Sequence, residues 1–126
     1  MSIQDEIKRA IGAHGLWKAR LVAAIEAGKS DLVPAHVCKD DQCDFGRWLL
    51  GPSVPATARM LPDYAQCRTL HARFHATAAD VLRLALAGKA AEAHAALGTN
   101  GSFATTSAAL TAAMMAWMKA AEKKAA

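Results

Sequence analysis

Apolar residues recur every three or four positions along most of the chain, which is the spacing of one face of an α-helix. In the first stretch this face is formed by Ile3, Ile7, Ala10, His14, Trp17, Leu21 and Ala24. Ser2 is a suitable cap for the helix start, and Gly28 supplies a stop signal. The pattern therefore predicts a first helix over Ser2–Ala27, with a histidine on its apolar face.

Proline, glycine and short polar runs divide the rest of the chain into further elements. The predicted elements are a loop at 28–42, a short apolar helix at Cys43–Leu50, a connection at 51–62 with room for a helical turn at Pro55–Met60, a long helix at Pro62–Leu86, a short Ala-rich helix at 89–97 and a last helix from Ser102 to about Lys123. Long helices joined by short links indicate a helical bundle.

The two long C-terminal helices have apolar faces of their own. The inward positions are Tyr64, Cys67, His71, Phe74, His75, Ala78, Val81 and Leu82 in one helix, and Phe103, Leu110, Met114, Trp117 and Ala121 in the other. Alanine is abundant and aromatic residues make up only 6% of the chain, a composition that favours helices over strands. We therefore predict a single all-α domain over residues 1–126, an antiparallel four-helix bundle with an additional short helix carrying Cys43.

Net charge and cysteine content indicate which binding partners and which cellular compartment to expect. The net charge is +4, but the basic residues are scattered and form no stripe, so we expect no nucleic-acid binding. The first ten residues are polar and no apolar run approaches the ~20 residues of a membrane span, so we expect no membrane association and a cytoplasmic location. Three cysteines in a reducing compartment indicate metal ligation or free thiols rather than disulfides.

Three histidines and one cysteine form a candidate metal site. His71 and His75 are four residues apart on a predicted helix, so both imidazoles leave the same face. Such a pair is often purely structural, but buried imidazoles need partners, and His14 is a third histidine on an apolar face. Cys43 begins a short helix, whose N-terminus favours a thiolate. The four residues therefore predict a Zn²⁺ site, although ligand type alone does not exclude copper or nickel.

Catalytic alternatives fit the sequence poorly. A zincin protease has glutamate where this chain has Ala72, and a di-iron bundle needs inward carboxylates that the long helices do not offer. Four protein ligands also leave no coordination position for an activated water. We therefore expect that the site is not an enzyme active site.

Three segments resemble the motifs of the chemoreceptor zinc-binding (CZB) domain family. They are His14-Gly15-Leu16-Trp17-Lys18, Cys43-Asp44-Phe45-Gly46-Arg47-Trp48-Leu49 and His71-Ala72-Arg73-Phe74-His75, which are similar to the family's His-x-x-Trp-Lys, Cys-x-Phe-Gly-x-Trp-Leu and His-x-x-Phe-His motifs. The resemblance implies a mostly helical bacterial cytosolic sensor domain, often a homodimer. It also implies that zinc is held by His14, Cys43, His71 and His75.

Three functional hypotheses follow from the residues and the resemblance. Zinc occupancy would modulate signalling, with a chemotaxis or cyclic-di-GMP type of output delivered through a partner protein or an output region outside this chain. Alternatively, hypochlorite or peroxide would oxidise the zinc-bound Cys43 thiolate and release zinc. In the third hypothesis the domain is an interaction bundle in which zinc is only a structural staple.

The remaining motif residues have simpler expected roles. Trp17 and Trp48 are expected to pack near the site, and Gly46 to permit a close helix approach or a tight turn beside Cys43. Asp44 is expected at the surface, with hydrogen bonding to a ligand histidine as the alternative. Two further cysteines and one histidine have open roles: Cys38 as a free or resolving thiol, Cys67 as a core thiol or alternative ligand, and His36 as a free side chain.

Overall fold

The computed structural model of the protein describes residues 2–125, which form eight helical segments and no strand. The segments are α1 (Ile3–Gly15), α2 (Trp17–Ala27), α3 (Pro34–Val37), α4 (Asp44–Leu50), α5 (Ala56–Arg59), α6 (Pro62–Leu86), α7 (Ala90–Leu97) and α8 (Ser102–Ala125). Within this part of the chain, no helix is both long enough and apolar enough to cross a membrane. The predicted all-α class is confirmed.

Helices α6 and α8 form the centre of the core and run antiparallel. Near the start of α6, the ring of Tyr64 lies 5.4 Å from that of Trp117, near the end of α8. Further along α6, the ring of Phe74 lies 5.3 Å from that of Phe103, in the first turn of α8. Every residue predicted for the inward faces of these two helices is buried. The more specific prediction, an antiparallel four-helix bundle, is not confirmed, because the fold also contains several short helical segments.

Two buried hydrogen bonds fasten the connecting segments to this core. The hydroxyl of Tyr64 donates to the carbonyl of Leu49 at 2.7 Å, and the indole N–H of Trp117 donates to the carbonyl of Ala58 at 3.0 Å. Buried Tyr and Trp donors need such acceptors. The end of α4 and the segment α5 are thereby fixed on the bundle, which places the start of α4 beside α1 and α6.

The prediction of one continuous helix over Ser2–Ala27 is wrong, because the chain tightens at Leu16. The Leu16 N–H bonds to the Ala13 carbonyl, three residues back, and interrupts the α-helical ladder between α1 and α2. Gly12 and Gly15 weaken helix propensity just before this point. The break puts His14 in the last turn of α1 and lets Trp17 open α2.

The predicted loop at 28–42 contains a helix that the pattern did not reveal. Segment α3 is a single turn that begins with Pro34, whose fixed φ suits the first helical position. One turn is too short to produce an apolar period, so this helix could not be predicted from the pattern. The other boundaries agree with prediction: Gly28 ends α2 with a φ of +69°, α5 lies within Pro55–Met60, and α6 has the predicted bounds.

Candidate metal centre

Four side chains, three from two helices and one from the cap of a third, converge in the core. His14 comes from the last turn of α1, Cys43 immediately precedes α4, and His71 and His75 come from adjacent turns of α6. One ligand atom from each residue lies within 4.8 Å of every other. The three histidines are buried and Cys43 is half-buried. The structure thus brings together all four residues that the sequence singled out.

The spacing of the ligand atoms suits a tetrahedral ion. His71 Nε2 lies 3.1 Å from both His14 Nε2 and His75 Nε2. The Cys43 sulfur lies 3.4, 3.6 and 4.0 Å from the Nε2 atoms of His71, His75 and His14. Usual zinc bond lengths give tetrahedral edges of about 3.3 Å between two nitrogens and about 3.6 Å between nitrogen and sulfur. Five of the six edges of the cluster are therefore close to those of a zinc cage.

Backbone carbonyls orient two of the three imidazoles. The Nδ1–H of His14 donates to the Ala10 carbonyl at 2.8 Å, and the Nδ1–H of His75 donates to the Val37 carbonyl at 3.0 Å. A neutral ring with its proton on Nδ1 has a lone pair on Nε2. Both rings therefore direct an electron pair into the cluster, which is the arrangement that a cation satisfies.

Burial keeps these imidazoles in the form that binds metals. It lowers the pKa of His14 to about 4 and, with the nearby rings of His75 and His14 adding to the effect, the pKa of His71 to about 3. Burial also lowers the pKa of His75, against the opposing bond to Val37. At neutral pH all three rings are uncharged in the metal-free protein, so zinc does not have to compete with an imidazolium charge.

Cys43 occupies the N-cap position of α4. Its sulfur accepts a hydrogen bond from the Gly46 N–H at 3.3 Å, where serine or aspartate oxygen is the usual acceptor. Burial nevertheless raises the pKa of the thiol above its ordinary value, so the metal-free form carries a proton at neutral pH. A bound zinc ion would stabilise the thiolate, and the proton would be released on binding.

Two neighbouring residues leave no room for a side chain at position 46, where the chain has a glycine. A Cβ atom there would collide with the carbonyl oxygen of Asp40 and lie 3.2 Å from Cε1 of His71. The predicted close approach at Gly46 is confirmed, and its neighbour is the segment that leads into Cys43.

Aromatic rings enclose the cluster. Phe45 and Phe74 lie edge-on to His71 and His14, at 5.1 and 5.0 Å between ring centroids, and Trp17 lies 6.1 Å from His75. These rings lower the local dielectric constant, which strengthens the binding of a cation to neutral and anionic ligands. The predicted position of Trp17 beside the site is confirmed.

The family model described as the chemoreceptor zinc-binding domain matches residues 14–82, more than half of the chain and a span that contains all four cluster residues. The chain belongs to the chemoreceptor zinc-binding domain family. Comparison with curated proteins and with solved structures gave no match. Family membership and the His/Cys cluster together identify zinc as the metal to which the centre of this CZB domain is suited.

Some outer contacts of the CZB centre were missed or misassigned from the sequence. Asp44 pairs with Arg47 at 2.7 Å on the surface, so the alternative of Asp44 as a partner for a ligand histidine is wrong. The carbonyls of Ala10 and Val37 accept the hydrogen bonds of His14 and His75 instead. Ala10 could have been inferred, because it lies one turn before His14 on the same helix; Val37 could not, since α3 has no sequence signature.

The other cysteines of this CZB domain lie outside the cluster. Cys67 is fully buried on α6, one turn before His71, and burial raises its pKa to about 12, so the thiol is unreactive. Cys38 follows α3, is half-buried and donates its S–H to the Ala35 carbonyl at 3.2 Å. Among the three cysteines, Cys43 alone contacts the histidines.

Proposed function

We propose that this CZB domain binds one Zn²⁺ ion through Nε2 of His14, His71 and His75 and through the sulfur of Cys43, and that zinc occupancy regulates a signalling output. The observation that supports this most is the tetrahedral spacing of four ligand atoms, with two rings pre-oriented by backbone carbonyls. With four protein ligands the ion would have no position for a substrate, so its chemistry would be structural and regulatory rather than catalytic.

Zinc would add a link among α1, α4 and α6 to the packing of Phe45 and Leu49 in the core. Segment α4 has only seven residues and is attached at its far end by the bond from Tyr64 to Leu49. Its near end carries Cys43, so zinc would tie this end to α1 and α6. Loss of zinc would release the start of α4 and the chain before it, and a signalling partner or output region would respond to that release.

A competition titration against a metal-sensitive chelator tests the ligand assignment. The wild-type protein should bind one Zn²⁺ per chain, and His75→Ala should weaken binding by roughly a hundredfold or more, since removal of outer-sphere partners alone costs 10–100-fold. His94→Ala is the matched control, because His94 is exposed on α7 and should leave the affinity unchanged. Wild-type affinity in His75→Ala would refute the assignment.

Hydrogen exchange tests the regulatory part of the proposal. Removing zinc should increase amide exchange over α4 and the preceding segment at 38–43, while α8 keeps its protection. Equal exchange throughout the zinc-loaded and metal-free proteins would contradict regulation and favour zinc as a plain structural staple.

Sedimentation of both forms would test the homodimer implied by the family resemblance, which stays a prediction.

The accessibility of Cys43 favours a second candidate function, oxidant sensing. Cys43 is the one half-buried member of the cluster and contributes to the walls of two surface pockets, which share Trp17 and Gln42 with it. An oxidant can reach this sulfur, and an oxidised cysteine is a poor zinc ligand. Oxidation would therefore release zinc with the same effect on α4.

Mass spectrometry and a zinc indicator test this second function together. Mild peroxide or hypochlorite should modify Cys43 before Cys67, with zinc released in step. Cys38→Ser is the control and should leave the response intact. Early modification of Cys67, or modification of Cys43 with zinc retained, would contradict oxidant sensing.

A further inference from the structure

The three imidazoles of the cluster differ in one hydrogen bond. His14 and His75 each donate Nδ1–H to a backbone carbonyl, whereas Nδ1 of His71 is buried and has no hydrogen-bond partner among the residues that the structure describes. A neutral imidazole has one N–H, and its neighbours decide which nitrogen carries it. The carbonyls fix the proton position in two rings and leave it undetermined in His71.

Within the described part of the chain, Nδ1 of His71 lacks a partner in either tautomer, but the inward-facing groups are matched only when the His71 proton is on Nε2. With the proton on Nδ1, three imidazole lone pairs would face one another and the Nδ1–H would be buried without an acceptor, which is costly. With the proton on Nε2, His71 donates into the cluster towards His14 Nε2 and His75 Nε2, each 3.1 Å away. The Cys43 thiol supplies a second inward donor, 3.6 Å from His75 Nε2.

We propose that His71 is a tautomeric switch, with its proton on Nε2 in the metal-free protein and on Nδ1 in the zinc-bound protein. This inference rests on the proposed function, since zinc is what changes the tautomer. On binding, Cys43 releases its proton to solvent, and His71 gives its Nε2 proton to solvent and takes one from solvent at Nδ1, so that one proton is released per zinc ion. The ring stays neutral throughout, and the ion replaces both inward protons.

The switch has two consequences for the site. The three imidazoles of the metal-free cluster are linked at 3.1 Å and stay together, whereas the Cys43 sulfur has only longer contacts with them, so Cys43 can move with the start of α4 when zinc leaves. Zinc binding moves a proton to a buried nitrogen that has no acceptor, which makes binding weaker than in a site where all three rings have outer hydrogen bonds. The missing hydrogen bond at Nδ1 of His71 therefore lowers the zinc affinity and favours release of the metal.

Nitrogen-15 NMR of the imidazole rings tests the tautomers directly. In metal-free protein, long-range ¹H–¹⁵N correlations should show His71 protonated on Nε2, and His14 and His75 protonated on Nδ1. Addition of zinc should move the His71 proton to Nδ1 and leave the protons of His14 and His75 on Nδ1. The His71 signals are assigned as those that disappear in the His71→Gln variant. A metal-free His71 protonated on Nδ1 would overturn the proposal.

Paired substitutions give an independent test in the presence of a chelator. The amide N–H of glutamine can replace a donor at Nε2, and that of asparagine a donor at Nδ1. His71→Gln should therefore keep a higher urea midpoint than His71→Asn. At His14, which donates from Nδ1 to Ala10, the advantage of glutamine should shrink or reverse.

The His14 pair is the control for helix propensity, which favours glutamine over asparagine on both helices. An equal advantage of glutamine at the two positions would refute the inward donor at His71. Neither metal-free measurement depends on zinc binding. Failure of the wild-type protein to bind zinc would refute the proposed function, and the metal-free tautomer of His71 would still be read out separately.

Discussion

At the scale of single residues, the centre depends on four ligand side chains and on the backbone carbonyls that orient two of their rings.

Replacement of Cys43 by serine should separate metal binding from folding. Serine is a better N-cap than cysteine, so Cys43→Ser should keep α4 and leave the metal-free free energy of unfolding within about 1 kcal/mol of wild type. A hard hydroxyl is a poor substitute for thiolate, so zinc affinity should fall steeply. Chelator competition and urea denaturation measure the two effects, and an unchanged affinity would contradict the role of the sulfur. Cys38→Ser should change neither quantity.

Two glycine substitutions should have opposite effects on stability. Gly46→Ala should destabilise the fold by about 1–3 kcal/mol, because its Cβ meets the Asp40 carbonyl and crowds His71. Gly12→Ala is the matched control in α1, where a Cβ has nothing within 4 Å, and should stabilise by about 0.5–1 kcal/mol. Denaturation of both variants measures this, and a neutral Gly46→Ala would contradict the close approach.

The four cluster side chains could be predicted because residue type and helical face carry the information. His71 and His75 share a face by spacing, and His14 and Cys43 are polarisable ligands beside apolar neighbours. The outer partners could not be predicted equally well. A backbone carbonyl has no residue signature, so the contact from His75 to Val37 depends on where the chain places α3.

At the scale of elements, the length of a helix determines whether it could be predicted from the sequence. The helix α6 spans seven turns, and α8 is similarly long, so the apolar period is unambiguous in both. Segment α3 is one turn and has no period, and the break at Leu16 changes a single hydrogen bond within an otherwise helical pattern. Short segments and breaks are set by tertiary packing, which the local pattern does not contain.

The attachment of α4 gives an element-scale prediction. Tyr64→Phe removes the donor to the Leu49 carbonyl and should cost about 1–2 kcal/mol of stability, since a buried carbonyl is left without its partner. Because α4 then holds Cys43 less firmly, zinc affinity should also fall, by a few-fold. Thermal unfolding and chelator competition measure both quantities. An affinity equal to that of wild type would show that α4 does not position Cys43 through this bond.

At the scale of the whole molecule, buried titratable groups set the pH range in which the metal-free protein is stable. The unfolded chain has histidines that titrate near 6.5, whereas His14 and His71 in the fold titrate at about 4 and about 3. Between these values the unfolded chain binds more protons, so stability falls as the pH decreases below about 6.5. Cys43 and Cys67 have raised pKa values, so stability also falls as the pH rises above about 9.

Metal-free stability should therefore be greatest between about pH 6.5 and pH 9. Urea denaturation in a chelator, repeated across this range and on both sides of it, measures the profile. His71→Gln lacks one of the buried imidazoles and should show a shallower loss at acid pH. A stability that rises as the pH falls from 6.5 to 5 would contradict the burial of neutral imidazoles.

X-ray absorption at the zinc edge of the zinc-loaded protein tests whether three histidines and one cysteine coordinate the metal. We expect one zinc per chain with three nitrogen ligands at about 2.0–2.1 Å and one sulfur ligand at about 2.3 Å. Zinc bound without a sulfur ligand, or with more than one, would contradict the centre formed by His14, Cys43, His71 and His75.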